Sequence, residues 1–423
     1  MLKSKLINQL FYLTVSPMTT KEIVILLCIM FFALFVRLWR LDYPSVAYFD
    51  EQYHVPAILA MSRDQWALPF NYQNQTVATW DWLHPPLAKY WQALSVKLLG
   101  EVPAAWRLPS ALFGVILLIV YYFFVRFVAW QFLWPTKPQQ AINLALGSTF
   151  LLSLSGLLLV QSRIAMNDVL SSFFILSASF AFVVFLRFPK KLWLLLLTGA
   201  ILGLAIAAKW TGLWFMLLFV LWSCCALPSW RALPFRIFSL LILPVAIYVG
   251  SYYPLLNQSN GLSKFYLLQQ VILSSHLQNP STHSDSSSPL SWPFGGKSVW
   301  YFTDQVANIY LFENYLLLFY GFVSLVALLC LIYRNKITAL RQPIVYFLLF
   351  CYLVSFLPFI FFSRIMFLYH YLPALPFLLL WPVYVLQVML DGKRYGVWFN
   401  FYFWPAWFFV LAYPLWTALR LYF

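Results

Sequence analysis

Residues 22–40 read EIVILLCIMFFALFVRLWR, in which fourteen successive side chains, Ile23 to Val36, are apolar. A helix made of this run is hydrophobic all round, which suits a lipid surface and not a watery one. Its length is close to the roughly 20 residues that carry a helix across about 30 Å of hydrocarbon. The run is too long for a signal-peptide core, and the polar to mixed residues before it show no cleavage signature. It therefore reads as a retained first span.

The same pattern recurs to the C-terminus. Eleven spans are expected, at roughly 22–40, 108–129, 141–161, 166–187, 192–208, 211–227, 235–254, 313–333, 343–363, 365–388 and 398–420. The 423 residues are 63% hydrophobic and 9% charged, and the mean hydropathy is +0.79, which leaves too little polar surface for a soluble protein. Closed β-barrels would alternate polar and apolar residues, whereas these runs are unbroken. The expected class is an all-α polytopic membrane protein, residues 1–423 forming one transmembrane domain.

Charge sets the orientation. With the N-terminus inside, the inner turns hold Lys137, Arg187, Lys190, Lys191, Arg231, Arg236, Arg334, Lys336, Arg341, Lys393 and Arg394. Of the acidic residues only Glu22 and Asp391 fall inside; Asp42, Asp50, Glu51, Asp64, Asp81, Glu101, Asp168, Asp285, Asp304 and Glu313 fall outside. This predicts a cytoplasmic N-terminus and an outer C-terminus. The same rule accounts for the net charge of +15 without a nucleic-acid partner. Cys28, Cys224, Cys225, Cys330 and Cys351 all lie in or beside apolar runs and read as small packing residues, with neither a disulfide framework nor a zinc site.

Two outer loops are long: 41–107, with stretches suited to interfacial helices, and 255–312, Ser-rich at its centre. Five cations break the inside rule by lying at outer span ends: Lys89, Arg107, Arg163, Lys209 and Arg364. Each alone could snorkel or pair with a carboxylate. Together they suggest a basic pocket for an anion, and a lipid phosphate is the natural occupant because it accepts several charge-assisted bonds. Asp50 and Glu51 in AYFDEQYH are adjacent carboxylates that diverge, so one can take a proton while its neighbour orients the loop; a solvated loop start is the plainer alternative. In DWLHPPLAKYW the proline pair stiffens the backbone between His84 and Lys89. Arg163 and Asp168 flank a short outer turn where a local ion pair would also fit. His370 is an intramembrane histidine, hence a site candidate unless a neighbouring helix satisfies it. Histidines and carboxylates lack any defined ligand spacing, so no metal site is expected.

FDEQYH (49–54), HPPLAK (84–89), RLPSALFG (107–114), SRIAMNDVLSSFF (162–174), GLAIAAKWTGL (203–213) and FLYHYLPALP (367–376) occur in an order that resembles the protein O-mannosyltransferase family, and SSPLSWPFGGKSVWYF (287–302) resembles the second-loop segment of its bacterial members. The resemblance implies the GT-C fold with eleven spans. It implies transfer of a sugar, with mannose the expected one, from a polyprenyl-phosphate carrier to a Ser or Thr hydroxyl of a secreted or membrane protein. Asp50 would be the catalytic base and Glu51 a supporting residue. Lys209 with the outer arginines Arg364, Arg107 and Arg163 would hold the carrier phosphate. The family's eukaryotic members insert a β-trefoil domain for which the second loop has no room, so a bacterial plasma membrane is expected, or the endoplasmic reticulum for a eukaryotic source.

The expected chemistry is a single inverting displacement with no cofactor, since phosphate is already a good leaving group and no P-loop or GxGxxG is present. A divalent-metal requirement stays open. A lipid or glycan acceptor, as in aminoarabinose transferases, is the near alternative. A lipid transporter is the far one, disfavoured because the ionisable groups gather at one face and no internal repeat is visible.

Overall fold

The computed structural model describes residues 17–65, 83–226, 230–277, 282–304, 307–334, 342–390 and 395–419. Asp81 and the inner-turn residues Lys336, Arg341, Asp391, Lys393 and Arg394 lie outside them.

The first run forms α1, Thr20–Leu38. Thr19 accepts from the Glu22 backbone N–H while the Glu22 side chain accepts from Thr19 N–H, so two orphan donors are satisfied at the helix start. Glu22 is buried against Arg126, whose Nε lies 2.6 Å from Oε1, and against the Tyr122 hydroxyl. The first outer loop supplies α2, Glu51–Ser62, and α3, Leu87–Leu99, the latter closed by Gly100 at φ +91°. Then follow α4, Pro103–Val128, and α5, Pro138–Ser153. The chain breaks at Leu154 and restarts as a short helix, Gly156–Gln161, capped by Ser155. The next full helices are α6, Asp168–Arg187, α7, Trp193–Ala208, and α8, Gly212–Ala226.

α9 spans Leu233–Gly250 with a π-helical turn at Phe238–Ile242, and α10 is Gly261–Leu277. Four helices complete the bundle: α11, Tyr315–Tyr333, α12, Pro343–Val354, α13, Leu368–Leu390, and α14, Tyr395–Thr417. α13 opens as a 3-10 turn over Leu368–Ala374, where Pro373 and Pro376 deny the ordinary helical bonds.

Each of the eleven apolar stretches is thus mostly helical, and the protein is a multi-pass membrane protein. Among the described residues six helices are long and apolar enough to cross a membrane by length and composition: Pro103–Leu133, Asp168–Arg187, Leu233–Gly250, Tyr315–Tyr333, Pro343–Phe361 and Leu368–Leu390. α1 carries Lys21, Glu22 and Arg37, and α14 is rich in Trp, Tyr and Pro, so composition alone is less decisive for those two.

The helical class holds, with one small addition in the second outer loop: β1, Val299–Thr303, pairs antiparallel with β2, Asn308–Leu311. The VWYFT strand buries alternate residues, a period-2 pattern that apolar content alone had hidden. Four of the five cysteines are exposed on helix flanks; only Cys351 packs inside.

α6 and α7 pack along each other, α4 lies against α5 and α6, and α3 ties α2 to α4. These contacts bring the loop before α2, the turn before α6, the turn after α7 and the start of α13 to one end of the bundle.

Candidate active site

Asp50 sits at the start of α2 and its carboxylate makes no cap bond to that helix. The residue before it, Phe49, has φ +48°, a left-handed conformation that a side chain disfavours. Aromatic packing holds it there: its ring stacks on Tyr301 at 4.0 Å between centroids and meets Phe367 and Tyr369 edge-on. This clamp turns the chain so that Asp50 is half-buried, next to a ring that meets Tyr369 edge-on. Tyr301 is fully enclosed, and burial followed by the nearby Tyr369, Asp50 and Asp168 pushes its phenol well above the usual value. It therefore stays protonated, and its oxygen accepts from Gln161 Nε2 at 3.1 Å.

Glu51 faces a different set of partners. Both oxygens meet Arg107, at 2.9 Å from Nε and 2.8 Å from Nη2, and Oε1 also accepts from the Ala165 backbone N–H at 2.9 Å. The remaining Arg107 donors reach the carbonyls of Leu41, Pro44 and Val46. Arg163 is engaged in the same way, bonding the carbonyls of Val36, Arg37, Trp39 and Arg40 at the C-terminal end of α1. A cation there satisfies orphan carbonyls and complements the negative end of the helix dipole. Burial lowers the Arg163 pKa from its usual value. Glu51 is thus buried and bonded on both oxygens, and Arg107 and Arg163 donate to carbonyls of the segment leading to Asp50.

Lys209 and Arg364 are placed differently. Both line a cavity of about 190 Å³ together with Trp210, Trp214, His276, Phe359, Phe362 and His370. Lys209 Nζ is 2.7 Å from Asp168 Oδ1 and 5.3 Å from the Tyr369 ring centre. Asp168 therefore pairs with Lys209 across two helices, not with Arg163 across its own turn. Asn167 adds a bond from Nδ2 to the Ala208 carbonyl at 3.1 Å, fixing one turn to the other. The Arg364 guanidinium contacts His276, whose ring lies between Trp210 and His84.

His370 is buried, stacked between Trp292 and Tyr369, with Nδ1 3.0 Å from the Phe367 carbonyl. That bond makes Nδ1 the donor and leaves the ring a wall of the cavity. His84 stacks near His54 at 5.8 Å, and Lys89 is fully buried in α3. Among the described residues no three His, Cys, Asp or Glu side chains are grouped to hold a metal. The sequence reading passed over Tyr301, Tyr369 and Phe49. Tyr369 was visible in FLYHYLPALP, but nothing in a one-dimensional pattern ties it to Asp50.

The sequence matches the family model described as dolichyl-phosphate-mannose-protein mannosyltransferase over residues 78–258, and the one described as the C-terminal four-TMM region of protein O-mannosyltransferase over residues 261–422. A polyprenol-phosphate-mannose–protein mannosyltransferase of Corynebacterium glutamicum is 27% identical over 198 residues, which span 41% of this chain and 36% of that protein's length. The fold is similar to that of the S. cerevisiae protein O-mannosyltransferase Pmt1-Pmt2 complex bound to the sugar donor, with a TM-score of 0.76 at 15% identity over 95% of this chain and 91% of that one. ArnT from Cupriavidus metallidurans bound to undecaprenyl phosphate gives a TM-score of 0.58 at 16% identity, over 91% of this chain and 62% of that one. At these identities the structural likeness establishes the fold, that of the GT-C membrane glycosyltransferases.

Proposed function

Because the chain belongs to the protein O-mannosyltransferase family, we propose that it transfers mannose from a polyprenyl-phosphate carrier to a Ser or Thr hydroxyl of a protein, by one inverting displacement. The observation that carries this reading is the placing of a half-buried carboxylate, Asp50, at the same end of the bundle as a cavity lined by the cations Lys209 and Arg364.

Asp50 takes the proton from the acceptor hydroxyl as its oxygen attacks the anomeric carbon. The bond from that carbon to the carrier phosphate breaks, and its electron pair leaves with the phosphate. Lys209 and Arg364 stabilise the charge that develops there. Asp168 holds Lys209 in place, and the aromatic packing on Phe49 orients Asp50. Arg107, Glu51 and Arg163 act through the loop and do not touch the phosphate. The apolar walls of the cavity suit the first isoprene units of the carrier. No cofactor is called for by this chemistry.

The same reading takes the eleven apolar helices as spans, with the N-terminus inside, the C-terminus outside and Asp50 on the outer face. A bacterial plasma membrane is the proposed location, in keeping with the bacterial relative.

The test is transfer by the purified, detergent-solubilised protein given radiolabelled polyprenyl-phosphate mannose and a Ser/Thr-rich peptide, beside Asp50→Asn. Label on the peptide with the wild type alone supports both the reaction and the base. Label that stays on the lipid overturns the protein acceptor, and lipid and glycan acceptors are then offered.

A further inference from the structure

The two cations of the donor cavity come from distant parts of the chain, and one helix reaches both. α10, Gly261–Leu277, carries Gln269, Leu273 and His276 on a single face, since residues three and four apart are neighbours on a helix. Leu273 and His276 line the cavity together with Lys209 and Arg364. Gln269 ties the same face to the turn that holds Lys209. Trp210, the next residue in that turn, donates from Nε1 to the Tyr248 hydroxyl at 3.0 Å, and this hydroxyl donates to Gln269 Oε1. The Trp210 ring then packs on the His276 ring at 5.4 Å between centroids.

His276 meets the second cation directly, with Nδ1 in contact with Arg364 Nη1. A guanidinium has donors and no acceptor, so Nδ1 accepts, which keeps the ring neutral with its proton on Nε2. Arg364 needs such a hold. The bond from its Nε to the Ile365 carbonyl is long, at 3.4 Å, and Lys209 carries a like charge in the same cavity. A long, flexible side chain beside a like charge swings away unless a neighbour fixes it, and a misplacement of about 1 Å matters at a reacting centre. A ring braced on Trp210, with its acceptor aimed at Arg364, sets the guanidinium relative to the Lys209 turn.

We propose that His276 is a positioning residue: it holds Arg364 at the separation from Lys209 at which both cations meet one carrier phosphate. This rests on the donor reading given above and adds to it a residue that acts through Arg364.

The two features of the ring can be separated. His276→Phe keeps a ring against Trp210 and removes the acceptor. His276→Asn removes the ring and keeps an acceptor near the place of Nδ1. Equilibrium binding of fluorescent polyprenyl phosphate to the detergent-solubilised full-length protein is measured for each. His276→Phe should bind about tenfold more weakly, the effect of one hydrogen bond to a charged group, and His276→Asn should bind like the wild type. In an Arg364→Ala background His276→Phe should weaken binding no further, because the partner through which it acts is gone.

The reverse order, with His276→Asn impaired and His276→Phe normal, makes the ring a packing element and overturns the proposal. A full further loss in the Arg364→Ala background does the same, as does equal binding by the wild type and both variants. These results leave the donor reading intact. A wild-type protein that binds no polyprenyl phosphate overturns the donor reading, and the positioning role with it.

Discussion

Arg107 grips Glu51 through two parallel bonds of 2.9 and 2.8 Å, with both side chains wholly buried. The pair joins the start of α2 to α4, while the other Arg107 donors hold the backbone of Leu41, Pro44 and Val46. Its task is to fix the loop from which Asp50 projects.

Removing one member leaves the other charged, buried and unpaired. Arg107→Ala or Glu51→Ala should therefore destabilise the protein by about 3–5 kcal/mol. Thermal unfolding in detergent checks this. Arg107→Lys should rescue little, because an ammonium cannot reproduce the planar fork. A wild-type melting temperature for Arg107→Ala would remove the bracing role.

Asp50→Asn should behave in the opposite way. Asp50 is half-buried and the amide keeps its size, so the melting temperature should stay close to that of wild type. Transfer should fall about 10²–10⁴-fold, the usual worth of a positioned base. The measurement is initial rate at saturating donor.

The cations should separate into two classes. Arg364→Ala and Lys209→Ala should weaken binding of polyprenyl phosphate, each by about 1.5–3 kcal/mol for a hydrogen bond to a charged group. Arg163→Ala should instead lower stability, through its carbonyl contacts at the end of α1. Equilibrium binding of a fluorescent carrier phosphate, run beside a melting curve, distinguishes them.

Glu313 provides a fourth test away from the site. It is fully buried and accepts from Ser155 Oγ at 2.7 Å, Gly156 N at 2.9 Å and its neighbour Asn314 N at 2.6 Å. These bonds join the break after α5 to the start of α11. Glu313→Ala should leave several buried donors unmet and cost about 2–4 kcal/mol at roughly 1–3 for each group left unsatisfied. Melting in detergent reads it, and transfer at a temperature well below the transition should be little changed.

Much of the architecture could be read from residue order. Stretches such as Tyr315–Tyr333 are apolar almost all round, and a backbone in lipid must bond to itself, so a helix is the natural outcome. The cations at outer span ends were visible because they broke the inside rule. Their roles were not. Arg107, Arg163, Lys209 and Arg364 are equivalent as charges at a boundary, and composition assigns all four to a phosphate. Contacts between residues 51 and 107, or 36 and 163, depend on how distant helices pack. The β1–β2 hairpin was missed because an aromatic-rich strand looks like any apolar run.

The sequence by itself determined that this is a membrane protein of many helices and which family it resembles, because lipid constrains hydrophobic length and motif order survives without coordinates. Only the tertiary structure decided which side chains the protein keeps for its own bracing. It parted Asp50 from Glu51, matched Lys209 with Asp168, and left Lys209 and Arg364 lining one cavity. The physical reason is that burial makes an unpaired charge costly, so the helices settle where each buried ion finds its partner.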